Sequence, residues 1–314
     1  MNIALGIGVF VISFLAGAAS KVLIKPNWAK RFNVAWSDSV GTVHADLPYG
    51  DGPAQKFDLY LPAAQQDTYG LAVYLHPGGF TAGDKAGDRD MLQWLCSKGY
   101  VAAGINYTLF SEEHPEANVL HQTYEIHDSV PHVLAAAAEH GYTIDRMAVG
   151  GGSAGGCLAL IYAYRDGTTG PVPTKLVFEA VGPASMRRED WTCYGLDKND
   201  EAAAAMFTAM SGTVLSPKVV ASGEYLDAVR DISAADLVTA DAPVTIMAYG
   251  KHDRICPFPS SERLARRLKE LGVPHEYFIM EHSGHGLQND STQYLRYMEA
   301  VERGLAAHLS SPTR

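Results

Sequence analysis

Gly151-Gly152-Ser153-Ala154-Gly155 is a G-x-S-x-G run, with a short apolar segment before it and an apolar helical pattern after it. A serine hydroxyl is a weak nucleophile until it stands clear of the backbone beside a base. A sharp strand-to-helix turn provides the clearance, because it lifts the side chain out of the sheet and aims helix N-terminal N–H groups at the reacting centre. The turn leaves little room, and Gly152, Ala154, Gly155 and Gly156 supply small neighbours. A Gly-rich turn that binds a phosphate, or nothing, is the plainer reading of the same residues. Upstream, Gly78 and Gly79 close the apolar run 71–75 in "LAVYLHPGGF". Glycine weakens a strand interior and belongs where backbone approaches something closely.

These residues need elements to hold them. "VAWSDSVGTVHADLPYG" and "AQKFDLYLP" read as opening antiparallel strands. Strand and helix patterns then alternate: strands "LAVYLHP", "VAAGINY", "RMAVGGG", "KLVFEAV", "PVTIMAYG" and "HEYFIM", with helical periods between them and at the C-terminus. Pro131 falls within one helical stretch, at a kink or a first turn. Such alternation implies an α/β fold with a mostly parallel central sheet and helices on both faces, its site at the carboxyl ends of the strands. The segment from about 185 to 230 breaks the alternation and reads as a small helical cap insertion over the site. No repeat or linker divides the chain after residue 30, so one catalytic domain over about 35–310 is expected.

Taken together, "HPGGFTAGDK", "INYTL", "GGSAGG", "YGKHDRICPF" and "EHSGHG" resemble the α/β-hydrolase superfamily, in its esterase/lipase group of hormone-sensitive-lipase-like and acetyl- or feruloyl-esterase-like carboxylesterases. The likeness runs from about residue 50 to 310. Thr108 stands where that group commonly has Arg, and Gly152 where Asp is frequent. The resemblance implies an oxyanion hole built from the N–H groups of Gly78, Gly79 and Ala154. Pro77 has no N–H to give, which leaves the donors on that side to the two glycines.

The same resemblance implies the order Ser153, Asp253, His285 for a catalytic triad. Asp253 directly follows the apolar strand that ends at Gly250, and glycines flank His285 on both sides. His282 competes for the base and Asp241 and Asp290 for the acid, but neither carboxylate directly follows a strand. Serine attack, proton transfer through the histidine and hydrolysis of an acyl-enzyme need no cofactor. None is signalled, and no two histidines share a helix with a carboxylate at a metal-ligand spacing, so no metal is expected.

The chain has 314 residues, 47% of them hydrophobic and 19% charged, which is a globular composition. A net charge of −10 argues against a nucleic-acid partner. The four cysteines form no CxxC pair; Cys157 and Cys256 are expected as buried free thiols, although an even count permits disulfides in an exported chain. Residues 1–20 carry no charged side chain and are long enough to cross a bilayer. They are read as a membrane anchor or export signal, with the side of the membrane open. Phe80, Trp191 and Tyr194 are expected to line an apolar substrate pocket, alongside the methionines and aromatics of the cap segment. The expected activity is carboxylic-ester hydrolysis of short-chain, carbohydrate or aryl esters. A serine amidase or peptidase of the same fold, a catalytically inactive binding module, and a membrane-tethered interaction protein are the alternatives.

Overall fold

The structure is a computed structural model that describes residues 32–310. Eight strands form one sheet: β1 (Gly41–Pro48), β2 (Lys56–Pro62), β3 (Tyr69–Leu75), β4 (Val101–Ile105), β5 (Ile144–Gly152), β6 (Thr174–Ala180), β7 (Val244–Gly250) and β8 (His275–Met280). Their spatial order is β1-β2-β4-β3-β5-β6-β7-β8. The β1–β2 and β2–β4 pairs are antiparallel and the other pairs are parallel. This is the α/β-hydrolase fold. Between the strands lie α1 (Arg89–Ser97), α2 (Val119–Glu139, with Pro131 inside it) and α3 (Ala154–Ile161). Later come α8 (Phe258–Leu271) and α9 (Ser291–Leu309).

The inner strands are buried on both faces, and their alternate side chains feed two separate cores. Leu71, Val73, Leu75, Val101, Ile105 and Val149 pack with residues of α2 and α3. The intervening positions Ala72, Ala102, Ala148 and Ala248 face α1 and α9. Ala72 is in register with both Ala102 and Ala148, so a row of alanines lets those two helices approach the sheet closely. On the other side of the edge, β1 is mostly exposed and carries a register break between His44 and Leu47, a feature that discourages edge-to-edge pairing.

Between β6 and β7 the chain inserts α4 (Asp200–Ser211), α5 (Pro217–Ser222), α6 (Tyr225–Val229) and α7 (Ala234–Leu237), with short 3-10 turns at Arg188–Asp190 and Thr192–Tyr194. Local signals start and stop these helices. Asn199 and Ser216 accept N–H bonds from Ala202 and Val219, and Gly212 and Gly223 end α4 and α5 in the left-handed conformation. Trp191, Phe207 and Tyr225 bind the insertion together as a buried aromatic cluster.

The expectation of membrane association or export is corrected here. Among the described residues no helix is long and apolar enough to cross a membrane. Residues 1–20, on which that expectation rested, lie outside the described residues.

Candidate active site

β5 ends at Gly152, and Ser153 turns the chain with φ 54° and ψ −121°, a conformation that costs energy for a residue with a Cβ. Two bonds hold it there: the Ser153 N–H donates to the Ala180 carbonyl at 2.8 Å, and the Cys157 N–H donates to the Ser153 carbonyl at 3.0 Å. α3 then runs fully buried behind the turn. A Cβ on Gly155 would stand 2.0 Å from the Leu75 carbonyl oxygen, so only glycine lets α3 dock against the end of β3. Gly152 is different, since a Cβ there would meet nothing nearer than 3.8 Å. The turn therefore requires a small residue at 155 and tolerates a larger one at 152.

Gly78 and Gly79 have φ of 153° and 59°, and a Cβ on Gly78 would fall 1.6 Å from the Ala82 carbonyl oxygen. The turn they form is closed by Thr81 and Ala82 N–H groups donating to the Gly78 carbonyl. It is pinned at both ends. Tyr107 stacks on His76 and donates to its carbonyl at 2.9 Å. Phe80 offers its carbonyl to the Gln122 amide and the Phe110 N–H. Burial holds the His76 imidazole below its usual pKa. Thr108 gives both its N–H and its hydroxyl to Glu125, and so serves a local role of its own at the place where the related group commonly has Arg.

The loops after β7 and β8 meet tightly. A Cβ on Gly250 would lie 2.3 Å from the Gly284 carbonyl, and the His252 N–H donates to the Ser283 carbonyl. Asp253 is buried in this junction. Its Oδ1 accepts from the Ile255 and Cys256 N–H groups at 2.8 and 3.0 Å. Its Oδ2 lies 2.8 Å from His285 Nδ1. A carboxylate only accepts, so Nδ1 carries the proton and Nε2 presents its lone pair. His285 Nε2 is 3.0 Å from Ser153 Oγ. Three residues from three strand ends are thus joined in one relay that can draw a proton from the serine. His282 is exposed and faces Asp290, whose Oδ2 accepts from the His282 N–H and the Ser283 hydroxyl. Asp241 is exposed.

Ser153 opens into an apolar cavity. Gly79, Phe80, Ala154, Trp191, Met206 and Met210 are among its walls, and none of its lining residues is charged. Tyr194 is not a wall; it stands behind, with its hydroxyl donating to the Ile255 carbonyl at 2.8 Å.

Residues 57–268 match the model of the BD-FAE family. The chain belongs to the BD-FAE family. Among curated proteins it is similar to a probable carboxylic ester hydrolase, LipM, of Mycobacterium tuberculosis: 25% identical over 233 residues, covering 72% of this chain and 52% of LipM. It is also similar to the kynurenine formamidase of Danio rerio, 27% identical over 140 residues, covering 44% of each protein. The chain thus spans about half the length, or less, of the curated relatives it matches. Among solved structures it resembles the thermophilic esterase Est2 of Thermogutta terrifontis, with TM-score 0.66, 20% identity, and coverage of 88% of this chain and 95% of that one. At that identity the likeness speaks for the fold.

In this BD-FAE chain, two site neighbours carry little sequence signal. Cys256 forms part of the cavity wall beside Ser153. Its position three residues after Asp253, in the loop after β7, is the one pointer to it. Glu179 lies within the apolar run of β6, fully buried beneath the start of α3, where its Oε2 accepts from the Gly182 N–H. Burial pushes its carboxyl up to about 8. It has no sequence cue beyond being an acid in an otherwise apolar strand.

Proposed function

We propose that this BD-FAE chain is a serine carboxylic-ester hydrolase that works through an acyl-enzyme. Ser153 attacks the acyl carbonyl. His285 takes the serine proton and passes it to the leaving alcohol. Asp253 fixes the imidazole tautomer and stabilises its protonated form. The oxyanion of the tetrahedral intermediate is met by N–H groups of Gly79 and Ala154, with Gly78 shaping the turn and offering the further donor. Water, activated by the same histidine, then releases the acid. In this reading, residues 35–310 act as one catalytic domain, with the helices over 185–230 as its cap.

The observation that carries this reading is the continuous Asp253–His285–Ser153 hydrogen-bond chain, with the serine on a strained turn. The uncharged cavity bears on the substrate. A sugar would leave its hydroxyls facing Phe80, Phe110, Val119 and the methionines with few partners, at a desolvation cost. Compact aliphatic or aryl esters fit better than carbohydrate esters. Labelling with a fluorophosphonate and a panel of p-nitrophenyl esters test the proposal. Adduct formation on Ser153 with turnover of the short esters supports it, whereas an unlabelled serine and no turnover would point to an inactive binding module. Amide hydrolysis is a second reading, prompted by the formamidase among the relatives. Comparing an aryl ester with the matching anilide separates the two.

A further inference from the structure

Cys256 is a buried thiol in the wall of the cavity that Ser153 also lines. One donor atom each from Asp253, Cys256 and His285 lie within 4.8 Å of one another. Sulfur, imidazole nitrogen and carboxylate oxygen are the donors that zinc and its soft neighbours take. A thiolate and a carboxylate balance a doubly charged ion. The carboxylate is fixed in place by two backbone N–H groups. An ion would arrive by the same path as the substrate.

We infer that Asp253, Cys256 and His285 form a latent site for a thiophilic divalent cation such as zinc or cadmium, and that filling it switches the Ser153 chemistry off. Binding forms one metal–sulfur, one metal–nitrogen and one metal–oxygen bond. The Cys256 S–H proton leaves to solvent, and no electron is transferred. The ion takes Nδ1, the ring nitrogen that faces Asp253; the Nδ1 proton leaves and Nε2 takes up one proton in its place, so the ring stays neutral and the thiol's proton is the net one released. With Nε2 protonated, His285 can no longer act as the base. Magnesium and calcium, which prefer six or more oxygen donors or retained waters, do not suit this donor set.

The switching half of this inference rests on the hydrolase reading; the binding half does not. The test therefore reads both. It uses the full chain carrying Cys193→Ser, which removes the exposed thiol. Cobalt(II) is added and the near-ultraviolet thiolate-to-metal charge-transfer band is recorded, a signal that needs no turnover. Cadmium inhibition of p-nitrophenyl butyrate hydrolysis is measured alongside, with EDTA reversal and a magnesium control. Each variant is compared with its own metal-free rate. We expect the cobalt band, reversible inhibition by cadmium and none by magnesium. Affinity should rise by about tenfold per pH unit as one proton is released. Cys256→Ser and Cys256→Ala should lose the band and weaken cadmium binding by at least about tenfold. No band in the Cys193→Ser protein, or cadmium affinity unchanged by either Cys256 substitution, would overturn the site. A band without any hydrolysis to inhibit would keep the site and sink the hydrolase reading.

Discussion

Asp253 is held through both of its carboxylate oxygens. One oxygen is held by two backbone N–H groups and the other by His285, so the imidazole has one tautomer and one orientation. Members of such a relay act as a unit. Ser153→Ala and His285→Ala should each lower kcat by at least about a thousandfold with little change in melting temperature. His282→Ala, at an exposed ring, should change kcat little. Steady-state kinetics on p-nitrophenyl butyrate read the ranking, and a reversal of the two histidines would move the base to 282. Glu179 makes a separate, pH-linked prediction. Its folded pKa is about 8, above the ordinary carboxylate value of 4.5. A group shifted upward gives its full stability below the unfolded pKa and loses it as pH rises towards the folded one. Between about pH 5 and 8 this site should cost about 1.4 kcal/mol per pH unit. Glu179→Gln stays neutral, so its melting temperature should fall less over that range than the wild type's. Parallel melting curves would show that Glu179 ionises freely. The three residues proposed as the triad stand out in sequence because each follows a strand and their chain order is distinctive. Glu179 and Cys256 do not, since a lone acid in an apolar strand and a lone thiol look like any other buried side chain.

The elements show which parts of a motif are obligatory. In sequence, Gly152, Ala154, Gly155 and Gly156 look equally necessary as small residues around the serine. The backbone separates them. A Cβ on Gly155 meets a β3 carbonyl at 2.0 Å, and one on Gly156 meets Glu179 Oε2 at 2.9 Å, whereas position 152 is open to 3.8 Å. Forced overpacking against backbone has no flexible side chain to yield. Gly155→Ala should therefore destabilise by about 1–3 kcal/mol or more, and Gly152→Ala by well under that. Urea titrations with a common m-value check the pair, and equal midpoints would mean that α3 can slide on β3. The same contrast explains how far elements could be read ahead. The strands and flanking helices have strong periods, and the structure forms them where the periods lie. The insertion between β6 and β7 has short helices, set by caps such as Asn199, Ser216, Gly212 and Gly223 rather than by a long apolar stripe. In sequence it shows as a break in the alternation, with no individual helices to read.

At the scale of the whole molecule, the sheet brings its carboxyl ends and the β6–β7 insertion together around one uncharged cavity. Three of the named aromatics illustrate what sequence can and cannot place. Phe80 and Trp191 are walls, while Tyr194 holds the Ile255 carbonyl in the loop after β7, a contact that depends on how the insertion folds back over β7. The cavity's chemistry sets a substrate series. Each methylene moved from water to an apolar wall is worth about 0.8 kcal/mol, or about fourfold in kcat/KM where the transition state keeps the contact. From acetate to butyrate the wild type should gain about 15-fold by two such steps. Met210, on the inner side of α4, is a buried part of the wall. Met210→Trp fills space without adding charge, so it should leave acetate turnover near wild type and flatten or invert the gain with length. The acyl series on p-nitrophenol and an alcohol series on acetate are run together, because the cavity can hold either end of an ester. A slope unchanged by Met210→Trp in both series, or a wild type that prefers carbohydrate acetates to butyrate, would show that this cavity does not receive the substrate's apolar part.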